Sequence, residues 1–206
     1  MEKKLTIIIP SYNEEKTLLE LLKKVSFMKF EHGAEIIIIN DGSQDNSKKI
    51  IEENRDLYDH FISYEKNRGK GFAVREGIKK SKGEYIIIQD ADLEYEPRDI
   101  IKFLEMIQKF APDVVLGSRF NYDKFSKSHS ILNKIGNLIL TQTFNILYNT
   151  TFTDIYSCYL CVKRKFINEN FLKADGFDQH AEILIEAVKK GQNFFEVPIN
   201  YNGRKT

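Results

Sequence analysis

Apolar runs of strand length alternate with stretches of helical period along this chain. Residues 5–9, 35–39 and 85–88 read Leu-Thr-Ile-Ile-Ile, Glu-Ile-Ile-Ile-Ile and Tyr-Ile-Ile-Ile. Such runs lack the polar alternation of a half-exposed strand, so they read as strands covered on both faces. Between the first two, Leu18, Leu21, Leu22 and Val25 recur at helical spacing, and a helix is expected to about residue 27. Further helices are expected over about 46–54, 72–81 and 99–110, and further strands over 59–64 and 113–116. The succession βαβαβαβαβ predicts an α/β fold: a mostly parallel sheet with right-handed crossovers and helices on both faces.

The second part is less regular. Residues 121–130 are polar and mixed in charge and read as a mobile loop, its mobility either incidental or that of a lid over the strand ends. Residues 131–148 read as a long helix carrying Leu132, Ile135, Ile139, Phe144 and Leu147. Its apolar positions exceed one stripe; burial is the expected reason, and a second contact surface the alternative. A strand is expected over 155–162, a helix over 177–190 closed by Gly191 in the usual C′ role, and a strand over 193–197. There is no repeat, low-complexity tract or linker, which suggests a single domain over 1–206.

Composition narrows the class only slightly. A content of 42% hydrophobic and 30% charged residues is that of an ordinary globular domain. The net charge of +1 gives no broad field for nucleic acid. No window holds the roughly 18 apolar residues a membrane span needs. Met1-Glu-Lys-Lys leads into a strand without a cleavage site, so a cytoplasmic chain is expected. Cys158 and Cys161 form a C-x-x-C within the expected 155–162 strand, where residues three apart face opposite sides. That placement favours buried thiols over a redox or zinc pair. Neither a G-x-G-x-x-G after the first strand nor a G-x-x-x-x-G-K-S/T occurs, which disfavours the usual dinucleotide fingerprint and a P-loop.

The candidate chemistry lies at strand ends, where open α/β sheets place their ligands. The run 85–88 ends in Gln89-Asp-Ala-Asp-Leu-Glu94, which brings Asp90, Asp92 and Glu94 together just before Pro97. All-oxygen ligands there suit Mg²⁺ or Mn²⁺. Two further loops, 10–14 and 40–43, are expected to converge on the same crevice. Lys70 and Arg119 sit in or beside strand-end loops, and Arg204 in a basic tail; they are the cations available to phosphates.

Ile9-Pro-Ser-Tyr-Asn-Glu14, Asn40-Asp-Gly-Ser43, Asn67-Arg-Gly-Lys-Gly71, Gln89-Asp-Ala-Asp-Leu-Glu94 and Gly117-Ser-Arg119 follow one another in order. Together they resemble the family 2 glycosyltransferases of the GT-A (Rossmann-like) fold. Gly136-Asn137, Thr153-Asp154, Cys158-Tyr159, Glu196-Val-Pro-Ile199 and Tyr201-Asn-Gly-Arg204 are similar to its dolichyl- or polyprenyl-phosphate hexosyltransferase branch.

The resemblance implies a metal-dependent, inverting hexosyltransferase that uses a nucleotide-sugar donor of the GDP-mannose or UDP-glucose type. Pro10, Tyr12, Asn13, Glu14, Ile39 and Asp41 would bind the nucleoside. Lys70, Asp90, Ala91 and Asp92 would follow ribose and diphosphate, with the metal on Asp92 and Glu94. Arg119 and Arg204 would face phosphates of donor or acceptor. Asp154 is the candidate base if the acceptor needs one. The acceptor would be a polyprenyl phosphate, with peripheral membrane contact through the long helix and the basic tail. Transfer to a saccharide hydroxyl and a non-catalytic donor-binding partner remain as alternatives. Leu160, where chains of this branch commonly carry lysine, and the loosely matching Phe177-Asp-Gln-His-Ala-Glu182 bear on the acceptor side.

Overall fold

The computed structural model describes residues 4–120 and 131–203, with the backbone alone for 131–134. Its strands are β1 (Leu5–Ser11), β2 (Glu35–Asp41), β3 (His60–Tyr64), β4 (Tyr85–Ile88), β5 (Val114–Ser118), β6 (Leu160–Lys163) and β7 (Phe194–Pro198). They form one sheet in the order β3-β2-β1-β4-β6-β5-β7. β1 pairs in parallel with β2 and β4, β2 with β3, and β5 with β7, while β6 runs antiparallel to β4 and β5. The helices are α1 (Leu18–His32), α2 (Ser47–Glu53), α3 (Lys70–Lys80), α4 (Ile100–Phe110), α5 (Ile131–Tyr148) and α6 (Gln179–Lys190).

The isoleucine runs explain the layering. Side chains alternate across a strand, so a run apolar at every position needs cover on both sides. Ile7, Ile9, Ile36 and Ile38 pack with Leu18 and Leu22 of α1 and Phe103 of α4. Ile8, Ile37 and Ile39 face the other way, toward Val74 and Ile78 of α3 and Ile183 and Leu184 of α6. From β1 the chain builds outward through β2 and β3 on one side and places β4 on the other. The crevice beyond the carboxyl ends of β1 and β4 is therefore the switch point where such folds bind ligands.

Four expectations change. The strand expected over 155–162 begins only at Leu160. Before it, the Asp154 carbonyl accepts the Ser157 N–H at 3.4 Å and the Cys158 N–H donates to the Tyr95 hydroxyl, so the segment turns. α1 runs on to His32 and ends at Gly33, whose φ of 65° is the left-handed cap. Gly191 is extended instead, with φ −93°; a Cβ there would lie 2.8 Å from Cβ of Asp113, so close approach requires the glycine.

The fourth is α5, which is not a buried helix. Ile135, Leu138, Ile139, Leu140, Ile146 and Leu147 are exposed, whereas Asn137 and Thr141 are buried alongside Phe144. Its amphipathicity is inverted relative to a helix that caps a core. The side chain of Leu132 and the 121–130 loop lie outside the described residues.

Candidate active site

A cleft of about 370 Å³ opens at the β1/β4 switch point, lined by Pro10, Ser11, Tyr12, Glu14, Asp41, Lys70, Asp90, Ala91 and Asp92, among others. Its size is that of a small-ligand site. Two loops meet there by trading side chains. The Asn13 and Glu14 N–H groups donate to the hydroxyls of Ser43 and Ser47 at 3.0 and 2.9 Å. In return the Gln44 N–H donates to the Asn13 side-chain oxygen at 2.7 Å, and that of Asn46 to Glu15 at 3.0 Å. Asn13 has φ 55°, a conformation asparagine tolerates. It stitches the loops together and does not line the cleft.

Asp41 lines the cleft at the end of β2 and also organises the next loop. Its carboxylate accepts the Arg68 N–H at 3.0 Å and the Gly69 N–H at 2.8 Å. Gly69 (φ 98°) and Gly71 let this loop press against 174–175, where a Cβ on either would fall within 2.3 Å of a carbonyl oxygen. The Gly71 N–H donates to the Asp175 carbonyl at 2.8 Å. This contact brings Gly176 and Phe177 into the cleft wall from far along the chain.

The acidic loop follows β4. Asp90 pairs with Lys70 at 2.5 Å, and the Lys70 ammonium lies 3.8 Å from the Cys158 sulfur. Burial works against the charge on Lys70, but the Asp90 carboxylate outweighs it and holds its pKa above the ordinary lysine value. Burial and the same Asp90 push the Cys158 thiol up to about 12, so it is neutral. Asp92 accepts the Glu94 N–H at 3.0 Å across Leu93, which sits at φ 61°. The Glu94 carboxylate accepts the Tyr201 hydroxyl at 2.8 Å, and its carbonyl the Asn202 N–H at 2.7 Å. The end of the chain thus holds the acidic loop in place.

Among the described residues no three acidic, histidine or cysteine side chains converge as a metal cage. Asp92 and Glu94 nevertheless fit Mg²⁺ or Mn²⁺, because such ions often take one or two carboxylates and complete their shell with water and substrate phosphates.

Arg119 lies beyond this cleft, at the end of β5. Its backbone N–H, Nε and Nη2 donate to Asp154 at 3.0, 2.8 and 2.9 Å, and Asn137 of α5 donates to the same carboxylate at 2.8 Å. Asp154 is completely buried. Glu196 anchors the turn before it, accepting the Thr153 and Asp154 N–H groups at 2.8 and 3.3 Å. Burial raises the Glu196 pKa, and those hydrogen bonds offset part of the rise. The Arg119 guanidinium stands 5.3 Å from the Tyr201 ring, and so one residue from Glu94.

Two expected roles need correction on this geometry. A general base must reach the proton it takes; Asp154 is buried, and its carboxylate is occupied by Arg119 and Asn137. Ile39 is fully buried among Ile37, Ala73 and Val74 and cannot meet a nucleoside through its side chain. Arg204 lies outside the described residues. Ser11, Asn67, Gly69, Ala73, Gly176 and Phe177 line the cleft without having been singled out as binding residues. Ser11, Asn67 and Gly69 lay inside the family motifs and Phe177 opened the segment set on the acceptor side, but nothing local marks Ala73 or Gly176.

The model of the family described as "Glycosyl transferase family 2" matches residues 6–171. The chain belongs to this family. Among curated members it is 33% identical over 223 residues to the dolichyl-phosphate beta-glucosyltransferase of Saccharomyces cerevisiae, covering 96% of this chain and 66% of that one. It is 31% identical over 218 residues to the UDP-N-acetylglucosamine–dolichyl-phosphate N-acetylglucosaminyltransferase of Methanococcus voltae, covering 96% and 85%. Across the first four curated relatives the chain spans between 63% and 87% of the relative's own length. Glucosyl-3-phosphoglycerate synthase from Mycobacterium tuberculosis, solved with Mn²⁺, UDP and phosphoglyceric acid, superimposes with a TM-score of 0.73 at 15% identity, over 98% of this chain and 72% of that one. That likeness bears on the fold, which is GT-A.

Proposed function

We propose that this chain transfers a hexose from a nucleoside-diphosphate donor to a polyprenyl phosphate, with inversion at the anomeric carbon. The observation that carries this reading is the cleft itself, lined together by Asp41, Lys70, Asp90 and Asp92, at the switch point of a family 2 fold. The names of the yeast and archaeal relatives supply the acceptor class. Pro10, Tyr12, Glu14 and Asp41 are assigned to the nucleoside, and Lys70 to the diphosphate or the sugar beside it. Asp92 and Glu94 would hold Mg²⁺ or Mn²⁺, which when bound offsets the charge that develops on the leaving diphosphate.

In this reading an acceptor phosphate oxygen attacks C1 from the face opposite the diphosphate. The new C1–O bond forms as the old one breaks, and the electron pair leaves with the nucleoside diphosphate. An acceptor phosphate is already an anion at neutral pH and needs no proton removed. This agrees with an Asp154 that is occupied in holding Arg119, and it weighs against a saccharide hydroxyl as acceptor. Arg119, held on the Tyr201 side of the acidic loop, is assigned to the acceptor phosphate.

A lipid acceptor also accounts for α5. From Ile135 to Tyr148 the helix carries no charged residue, and its aliphatic side chains face out while Phe144 is buried and Asn137 faces in to Asp154. We assign the exposed face to peripheral contact with a bilayer, beside the Arg119 site. Among the described residues no helix is long and apolar enough to cross a membrane.

The test is a transfer assay with radiolabelled UDP-glucose, UDP-N-acetylglucosamine and GDP-mannose, Mn²⁺ and a short polyprenyl phosphate. Label appearing in the organic phase as a hexosyl phosphate of inverted configuration is expected for one donor. Label passing only to water or to added glycan would contradict the acceptor assignment.

A further inference from the structure

Residues 198–202 lie along the acidic loop. Tyr201 bridges Tyr95 in antiparallel fashion, the Glu96 N–H donates to the Asn200 carbonyl at 3.3 Å, and the Asn202 N–H donates to the Glu94 carbonyl at 2.7 Å. Asp99 accepts the Asn200 N–H, and the Lys102 ammonium donates to the Pro198 carbonyl at 2.8 Å. Backbone bonds and flanking side chains therefore fix this segment on the loop without the Tyr201 side chain. That side chain is available for another task.

Three tyrosine rings stand in a row here. Between centroids, Tyr159 lies 5.6 Å from Phe103 of α4, Tyr95 lies 5.1 Å from Tyr159, and Tyr201 lies 5.0 Å from Tyr95. Tyr95 and Tyr159 belong to the core, and their hydroxyls are engaged there. The Tyr95 hydroxyl accepts the Cys158 N–H at 3.2 Å, and that of Tyr159 donates to the Gln89 side chain. Tyr201 is the half-buried last ring of the row. Its hydroxyl donates to the Glu94 carboxylate at 2.8 Å, and its centroid is 5.3 Å from the Arg119 guanidinium. Gly203 backs the ring: a Cβ there would fall 3.1 Å from its Cε1 and Oη.

These two contacts reach the two sides of the reaction proposed above. A carboxylate that ligates a metal is oriented by the hydrogen bonds it makes to outer partners. Loss of such a partner commonly weakens metal binding by about tenfold to a hundredfold. A guanidinium within about 6 Å of an aromatic centroid is attracted to the electron-rich face of the ring. The Tyr201 hydroxyl thus serves the donor side, and its ring serves the acceptor side.

We propose that Tyr201 is a positioning residue shared by both halves of the site: its hydroxyl sets the Glu94 carboxylate for a divalent cation, and its ring seats Arg119 for the acceptor phosphate. The proposal rests on the metal and acceptor readings above and deepens them by naming the side chain that joins them. The two tasks fall on different atoms, so they can be removed one at a time.

The experiment uses the full chain as wild type, Tyr201→Phe and Tyr201→Met, each checked for a cooperative melt. Calorimetric titration with UDP and GDP over a range of Mn²⁺ concentrations reads the hydroxyl. For the nucleotide that binds, Tyr201→Phe should leave the affinity without Mn²⁺ within about twofold. It should raise the Mn²⁺ concentration for half-maximal enhancement about tenfold. The KM for a short polyprenyl phosphate, at saturating donor and Mn²⁺, reads the ring. It should stay within about twofold in Tyr201→Phe and rise about fivefold in Tyr201→Met, which fills the space without an aromatic face. An unchanged Mn²⁺ requirement in Tyr201→Phe would overturn the proposal, and so would an equal acceptor KM in the two variants. Tyr201→Phe loses one oxygen from a half-buried ring and keeps the backbone bonds, so it decides the first outcome even where Tyr201→Met does not fold. Wild-type nucleotide binding that Mn²⁺ leaves unchanged would overturn the metal reading and this proposal with it, a distinct result.

Discussion

Two polar regions flank the acidic loop, and they are finished differently. The Asp154 carboxylate is buried and receives hydrogen bonds from the Arg119 backbone, the Arg119 guanidinium and Asn137, while Glu196 secures the turn that presents it. At β1 and the start of α6, by contrast, Ser11, Gln179 and His180 each keep a buried polar atom without a partner among the described residues. Folding alone satisfies the first region. The second is not satisfied within the described residues. Residues that satisfy one another hold position, and residues left unsatisfied each ask for a separate explanation.

The largest effect that can break this contrast is at Asp154. Asp154→Ala leaves a mostly buried guanidinium unpaired, and such losses cost about 3–5 kcal/mol. Urea unfolding should show it as a lower midpoint with unchanged slope. If Asp154 were instead a dispensable surface base, stability would hold and only transfer would fail.

Asp92→Asn should do the opposite. The residue lines an open cleft, so stability should stay within about 0.5 kcal/mol of wild type. Mn²⁺-dependent nucleotide binding should fall at least tenfold by calorimetry. Equal nucleotide affinity with and without Mn²⁺ in the wild type would remove Asp92 and Glu94 from the metal assignment.

Ile139→Ser with Leu147→Ser tests α5. Both side chains are exposed, so the melting midpoint should scarcely move. Sedimentation with liposomes should fall several-fold, and transfer to a long-chain acceptor should fall more than transfer to a short one. A large drop in stability would mean that the face is covered by the protein's own chain.

The smallest effect concerns pH. His180 has its folded-state pKa lowered from 6.5 to about 4, by burial and by Lys70 and Arg119, with Asp90 and Asp154 acting in the other direction. The unfolded chain then binds a proton that the folded one refuses across that window. This contribution to stability is present above about 6.5 and is lost as pH falls toward 4. His180→Gln should flatten the pH dependence of the melting midpoint between those values; an unchanged profile would show that the imidazole titrates normally.

Much of this was legible in the residues because strand ends announce themselves. Continuous isoleucine runs specify covered strands, and the polar residues that stop them at Asn40, Asp90 and Ser118 are the loops at the crevice. The motif residues Pro10, Tyr12, Glu14, Asp41, Lys70, Asp90, Ala91 and Asp92 all line one cleft. What was not legible depends on contacts between distant segments. Gly176 and Phe177 reach the cleft only because two glycines let the 69–71 loop press against 174–175. The strand before Leu160 gives way to a turn because Asp154 is buried to hold Arg119, which local propensity cannot show. The orientation of α5 was hidden for the same reason: its period shows where the apolar residues fall, not which face Asn137 turns toward Asp154.

The central claim is that the cleft between β1 and β4 is a nucleotide-sugar site. Calorimetric titration of the purified chain with UDP and GDP, each with and without Mn²⁺, tests it most directly. The account predicts saturable binding of one of the two, strengthened by Mn²⁺ and lost in Asp92→Asn. A cooperatively folded chain that binds neither nucleotide under either condition would contradict it.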